Sequence, residues 1–85
     1  MAALARFSAI ALPVVTAEWT RSDRERIRVT LDHDVIDVRC FFVGDAEEAL
    51  RPGHTGITLP LAHLPALFDG IARAHREALA RGLLT

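Results

Sequence analysis

The sequence predicts an α+β domain in which four β-strands precede one C-terminal α-helix. The stretch Arg24–Phe42 alternates between polar and apolar residues in the manner of a β-hairpin, which is typical of paired strands with one buried face. From Leu61 onward the apolar residues recur at spacings of three and four, which is the period of a helix. A chain of 85 residues is the size of one domain. We therefore expect a single domain made of an N-terminal arm (1–13), a sheet (14–59) and a helix (61–82).

The N-terminal segment, MAALARFSAIALPVVTA, is apolar and ends in small residues that resemble a signal-peptidase site. Arg6 interrupts this apolar run, whereas a signal peptide carries its positive charge before the run. We therefore interpret the segment as an arm or an edge strand.

Three strands are expected in the first half of the chain. β-Branched and aromatic residues predict the first one over Val14–Arg21, and the polar run RSDRE then turns the chain. Two paired strands follow over Arg26–Asp32 and Asp34–Val43. If His33 and Asp34 form a tight two-residue turn between them, the register of this hairpin is determined.

This register places Arg28 directly opposite Arg39, on the polar side of the hairpin. Like charges in that position repel unless a carboxylate or a phosphate lies between them. Asp37 on the same side is one candidate. A phosphate is the other, because guanidinium groups bind phosphate bidentately and Phe41 beside them offers a surface on which a base stacks. The apolar side of the same hairpin comprises Ile27, Val29, Leu31, Ile36, Val38 and Cys40.

A loop and a short strand are expected before the helix. The segment GDAEEALRPGH is interpreted as the loop, because Arg51-Pro52-Gly53-His54 has proline and glycine where a type II turn requires them. The fourth strand is expected over Thr55–Leu59 and ends at Pro60.

The predicted helix carries a single apolar stripe. Pro65 indicates either that the helix proper begins near Leu64 or that its first turn is irregular. Gly70 favours a kink, and Gly82 is a natural C-terminal cap. The stripe comprises Leu64, Leu67, Phe68, Ile71, His75, Ala78 and Leu79.

Composition indicates a self-associating protein without an overall basic charge. A domain of this size buries only roughly 60 to 65% of its unfolded surface, so we expect a homo-oligomer. The net charge is −1, with ten arginines and no lysine, so any nucleic-acid site depends on where the arginines lie. The single cysteine, Cys40, cannot form an internal disulfide, which is compatible with the cytoplasm.

Other classes of function are not favoured by the sequence. The four histidines and Cys40 lack the close spacing of zinc ligands, so no metal or other cofactor is expected. The cysteine lies in mid-strand and no glycine-rich phosphate loop or nucleophile elbow is present, so we expect no enzyme. No apolar run reaches the length of a membrane span.

Four segments in order resemble the positive cofactor 4 family of transcriptional coactivators and its short bacterial relatives. They are WTRSDRERIRV, IDVRCFF, LRPGHTGITL and the amphipathic helix, and they cover about residues 18–80. The more specific patterns lie at Ile36–Phe42 and Pro52–Leu59. This chain departs from the family in the short Asp32-His33-Asp34 connection, and in His54 and Thr55, where the family usually has basic residues.

The resemblance implies a curved four-stranded antiparallel sheet followed by a kinked helix, with dimerisation through the helices. It further implies that single-stranded DNA lies along the sheet and that the protein acts in transcription. It favours Phe42 for base stacking, whereas the hairpin register favours Phe41, and a β-bulge would exchange the two. The expected nucleic-acid-binding residues are Arg26, Arg28, Arg39, Phe41, Phe42, Arg51 and His54. The expected dimer interface comprises Leu64, Leu67, Phe68, Ile71, His75 and Leu79.

The sequence therefore leads to two functional hypotheses. The first is a cytoplasmic homodimer, nucleoid-associated if bacterial, that binds single-stranded or melted DNA, or RNA, without strong sequence preference. It would also interact with the transcription machinery, and it would not bind a membrane. The alternative is a dimeric protein–protein interaction module that has lost nucleic-acid binding, which the near-neutral charge and the short Asp32–Asp34 connection favour.

Overall fold

A four-stranded antiparallel sheet is followed by one helix in the computed structural model, which describes residues 11–44 and 50–85. This confirms the predicted order of strands and helix. Most of the predicted N-terminal arm and residues 45–49 of the predicted loop lie outside the described residues. The strands, neighbours in chain order, are β1 (Val14–Ser22), β2 (Glu25–Leu31), β3 (Val35–Val43) and β4 (Leu50–Pro60). A 3₁₀ turn (Leu61–His63) leads into α1 (Leu64–Ala80).

The β2–β3 hairpin has the predicted register. Arg28 pairs with Arg39, and the pairs on either side follow without a bulge from Leu31 back to Glu25. The backbone N–H of Asp32 donates to the carbonyl oxygen of Val35 at 3.0 Å, which closes the turn at His33 and Asp34. The alternating pattern determines this register, because a slip of one residue would turn every apolar side chain to the polar side.

The prediction that the loop extends through residues 50–54 is wrong. Residues 51–54 belong to β4, which begins at Leu50, and Arg51 and Pro52 pair with Phe42 and Phe41. Gly82 is the glycine with positive φ among the described residues, so Gly53 does not form the expected type II turn. The physical reason is that β4 is an edge strand, where proline is tolerated because its missing N–H faces away from the sheet. The extra residues of β4 form a bulge opposite β3, between the partners of Arg39 and Phe41.

Paired residues project from the same side of a sheet, so the register defines two faces. The arginine face includes Val15, Glu18 and Thr20 of β1, Arg26, Arg28 and Thr30 of β2, Val35, Asp37, Arg39 and Phe41 of β3, and Thr58 of β4. The apolar face includes Val14, Ala17, Trp19, Ile27, Val29, Leu31, Ile36, Val38, Cys40, Phe42, Ile57 and Leu59, together with Glu25 and Arg51, which both pair with Phe42.

The apolar face is covered only at its centre. Ile36 and Cys40, at 5% and 1% exposure, are the buried residues of the described chain. Trp19 at one edge of the face is 51% exposed, and Ile57 near the other edge is 49% exposed. Stable domains normally bury such a face against a second layer of structure. The apolar face therefore presents surface that a partner would cover.

The helix begins and ends as its sequence predicts. It starts at Leu64 with Pro65 in the first turn, where the missing N–H of proline removes no helical hydrogen bond. Gly82 follows the helix with φ of 73°. The backbone N–H of Gly82 donates to the carbonyl oxygen of Leu79 at 3.1 Å, and that of Leu83 donates to the carbonyl oxygen of Ala78 at 2.8 Å. These two bonds are those of a Schellman motif, which satisfies the last carbonyl groups of the helix.

Most residues of the apolar stripe of α1 are exposed to solvent. The helix is wholly described and contains no buried residue. Phe68 and Ile71 are 72% and 60% exposed, and Leu79 is also exposed. Leu64 and Leu67 are half-buried, whereas His75 is exposed. The residues predicted for the dimer interface thus form a surface that the sheet of the same chain does not cover.

Candidate nucleic-acid interface

Arg28 and Arg39 lie opposite each other, and each has a carboxylate partner on the same face. Nη2 of Arg28 donates to Oε2 of Glu18 at 3.0 Å, and Glu18 is the residue opposite Arg28 on β1. Arg39 is paired with Asp37, two residues away on its own strand. Carboxylate partners of the kind considered for reducing the repulsion between these arginines are therefore present, Glu18 for Arg28 and Asp37 for Arg39.

Arg39 connects β3 to β4. Its Nε donates to both oxygens of Asp37 at 3.3 and 3.2 Å, and its Nη2 donates to Oδ1 of Asp37 at 3.0 Å. Nη2 also donates to Oγ1 of Thr58 at 2.9 Å, and Nη1 donates to the carbonyl oxygen of Gly53 at 3.1 Å. The hydroxyl of Thr58 in turn donates to Asp37. All three guanidinium nitrogens of Arg39 are therefore engaged within the sheet.

Asp37 is held in its charged form by this network. Partial burial acts to raise its pKa, but hydrogen bonds from Arg39 and Thr58 and the positive charge of Arg39 outweigh the burial. The pKa of Asp37 consequently lies below the ordinary aspartate value. The ion pair is thus present at neutral pH.

Arg28 is bound less completely than Arg39. Its guanidinium carbon lies 4.5 Å from the centroid of the Phe41 ring, within the range of a cation–π contact. Its Nε is buried and has no hydrogen-bond partner among the described residues. Beyond the bond to Glu18, Arg28 is therefore positioned by stacking, while one of its donors is unsatisfied.

Arg26 completes the basic and aromatic part of this face. It pairs with Phe41 across the hairpin. Its Nη1 donates to the backbone carbonyls of Ser22 and Glu25 at 3.1 and 3.0 Å. Arg26, Arg28 and Phe41 therefore lie together on two adjacent strands, and we call them the Arg–Phe patch.

The other predicted binding residues do not join this patch. Phe42 pairs with Glu25 and Arg51, which places both Phe42 and Arg51 on the apolar face. No bulge exchanges Phe41 and Phe42 within the described β2–β3 pairing, so the register-based choice of Phe41 for the arginine face is confirmed. His54 is exposed in the bulged part of β4, between the residues that pair with Phe41 and Arg39.

Two residues that bond to the opposed arginines, Glu18 and Thr58, were missed in the sequence analysis. Glu18 lies beyond a β-bulge in β1, and bulges shift the pairing in a way that counting along the chain does not reveal. Thr58 lies in the predicted part of β4 and pairs with Asp37, but the pairing of β3 with β4 was not predicted. The alternation in Ile57-Thr58-Leu59 could have predicted that Thr58 lies on the arginine face, because the apolar residues on either side of it lie on the apolar face.

The sulfur of Cys40 has a partner on the apolar side of the sheet. It lies 3.6 Å from Oε2 of Glu25, and the other carboxylate oxygen of Glu25 accepts a hydrogen bond from the Ser22 hydroxyl at 2.9 Å.

Across residues 11–44 and 50–85 no group of three or more histidine, cysteine or acidic residues is arranged to hold a metal ion. The same ranges contain no helix long and apolar enough to cross a membrane.

An open apolar groove lies where the sheet meets the helix. Its volume is about 610 Å³. One wall comes from the end of β2, and the other comes from the start of α1 and the turn before it. The lining residues are Leu31, Leu61, Leu64, Pro65 and Phe68. The groove is continuous with the exposed stripe of α1, because Leu64 and Phe68 belong to both.

Comparison with protein-family models, with curated proteins and with solved structures finds no match to this chain.

Proposed function

We propose that the protein is a homodimeric, non-enzymatic binding protein of the positive cofactor 4 type. In this proposal the arginine face binds single-stranded nucleic acid, as a coregulator of transcription in the cytoplasm. The observation that carries the proposal is the Arg–Phe patch, where Arg28 stacks on Phe41 with Arg26 beside them. Cations next to an aromatic ring on an open sheet are the groups that hold unpaired nucleotides.

In the proposed binding mode, the residues of the Arg–Phe patch have different roles. Arg28 and Arg26 bind phosphates, and an unpaired base stacks on Phe41. Such stacking contributes roughly 1 to 3 kcal/mol per base and is unavailable to a duplex, whose bases are already stacked. Arg39 has its donors occupied by Asp37, Thr58 and Gly53, so we assign it to holding the sheet rather than to contacting phosphate.

Dimerisation is supported by the exposed stripe of α1. Phe68 and Ile71 are each more than half exposed. Burying a large apolar side chain contributes roughly 1.5 to 3 kcal/mol relative to leaving it in water. A second copy brings an identical stripe and groove, which is the self-complementary arrangement of a twofold interface.

A protein–protein interaction module is the second candidate, and the charge distribution of the arginine face favours it. Arg28 and Arg39 already have Glu18 and Asp37 as partners, so two of the three arginines are neutralised within the chain. In this candidate the apolar surface of α1 and the groove provide the binding site, and the arginine face is a solvated surface held together by ion pairs.

Titration of a fluorescent single strand separates the two candidates. We expect an oligothymidylate to bind more tightly than a hairpin duplex of the same length, and we expect Arg26→Ala to weaken its binding. The matched control is Arg73→Ala, which removes the same charge from the exposed Asp69–Arg73 pair of α1. Equal losses in the two variants, or equal affinity for the strand and the duplex, would contradict the proposal.

A further inference from the structure

We propose that Glu18 limits the affinity of the arginine face by holding Arg28 over Phe41, in the place that a base would take. This inference rests on the proposed nucleic-acid function and adds a residue that determines its strength. Glu18 belongs to β1, whereas the Arg–Phe patch belongs to β2 and β3. Its carboxylate contacts the patch through one hydrogen bond, the 3.0 Å contact with Nη2 of Arg28.

The contrast between the two opposed arginines identifies Arg28 as the one that moves. Releasing Arg39 would break bonds to Asp37, Thr58 and the backbone of Gly53, and would loosen β4 from β3. Releasing Arg28 breaks one ion pair and one stacking contact. It also frees an Nε that is buried without a partner, and a phosphate can then accept a hydrogen bond from that nitrogen.

Binding therefore proceeds by exchange of one anion for another. A phosphate displaces the Glu18 carboxylate, Arg28 turns away from Phe41, and the exposed ring receives a base. The displaced carboxylate regains its own counterion, which offsets part of the counterion release that normally drives phosphate binding. Glu18 thus lowers both the affinity and its dependence on salt.

The variant Glu18→Gln removes the competing charge and keeps the size of the side chain. Its control is Glu77→Gln, which makes the same change in net charge at the exposed Glu77–Arg81 pair of α1. The Glu18–Arg28 pair is partly buried, with the side chain of Arg28 24% and that of Glu18 37% exposed. An ion pair near the surface corresponds to a factor of about two to five in affinity, so Glu18→Gln should bind oligothymidylate about two- to fivefold more tightly than the control. The slope of log affinity against log salt should become steeper by about 0.7.

The same substitution in an Arg28→Ala background separates an effect that acts through Arg28 from a general effect of Glu18→Gln on the fold. Without Arg28, the substitutions at Glu18 and Glu77 should alter binding equally. If Glu18→Gln and Glu77→Gln change binding equally when Arg28 is present, the proposed role of Glu18 is overturned. The proposed function would still stand in that case, provided that Arg26→Ala and Phe41→Ala weaken binding. Absence of oligothymidylate binding in wild type and in Glu18→Gln would instead overturn the proposed function, and this inference with it.

Discussion

Arg28 and Arg39 face each other across the β2–β3 hairpin, and each is bound by a separate carboxylate. Their surroundings differ in kind. All three guanidinium nitrogens of Arg39 are hydrogen-bonded and two of them reach β4, whereas Arg28 stacks on Phe41 and leaves its buried Nε unsatisfied. The two residues should therefore respond in opposite ways to mutation, Arg39 affecting stability and Arg28 affecting binding.

Arg39→Ala should destabilise the protein more than Arg28→Ala does. Hydrogen bonds to charged groups contribute roughly 1.5 to 3 kcal/mol, and partial exposure of this pair reduces the expected loss to about 1 to 2 kcal/mol. For a domain of this size, each 1 kcal/mol lowers the melting temperature by about 4 to 8 °C. Thermal unfolding at equal protein concentration measures the difference. A larger loss in Arg28→Ala would mean that the Asp37 network does not hold β4.

The Asp37 network should lose its stabilising effect in acid. The pKa of Asp37 is lowered in the folded protein, so its contribution is fully present above the unfolded pKa of about 3.9. It is lost as the pH falls through the lower folded pKa. The free energies of unfolding of wild type and Asp37→Asn should therefore differ at neutral pH and converge as the pH falls below the lowered folded pKa of Asp37. A constant difference across the acid range would exclude Asp37 as the source.

Two glycine substitutions should have opposite effects on stability. A Cβ at Gly53 would collide with the ring of Phe42 and would lie 3.0 Å from the carbonyl oxygen of Cys40, so Gly53→Ala should destabilise by about 1 to 3 kcal/mol. A Cβ at Gly70 meets no heavy atom within 4 Å. Gly70→Ala should therefore stabilise the helix by about 0.5 to 1 kcal/mol. Denaturant unfolding of both variants checks the signs, and a stabilising Gly53→Ala would contradict the close approach of β4 to Phe42.

The sequence predicted those parts of the fold that follow from local patterns. The hairpin register follows from strict alternation and a two-residue turn, and the end of the helix follows from Gly82 after an apolar stripe. The start of β4 was missed because Pro52-Gly53 is also a turn pattern. The extension of β4 depends on pairing with Phe41, Phe42 and Val43 of β3 and on a bulge, which a local pattern does not reveal. The same limit applied to the site, where Glu18 reaches Arg28 only after a bulge has shifted β1.

Self-association should depend on the apolar stripe of α1. Wild type should be a dimer at micromolar concentration, and Ile71→Glu should dissociate it, because an unpaired charge is costly to bury in an apolar interface. Ala66→Glu is the control, since Ala66 is exposed and lies on the opposite side of the helix from the stripe. Light scattering gives the mass of each. A monomeric wild type, or equal dissociation of both variants, would contradict this interface.

The central claim, that single strands bind to the arginine face, is tested most directly by comparing two adjacent phenylalanines. Phe41 belongs to the arginine face and Phe42 to the apolar face, so Phe41→Ala and Phe42→Ala remove the same ring from opposite sides of the sheet. The measurement is fluorescence anisotropy of a labelled oligothymidylate at low salt, with folding of both variants verified by circular dichroism. We predict that Phe41→Ala weakens binding about 5- to 150-fold, which corresponds to the loss of one stacked base, and that Phe42→Ala changes it less than twofold. Loss of binding in Phe42→Ala with unchanged binding in Phe41→Ala would contradict the claim and would place the strand on the apolar face.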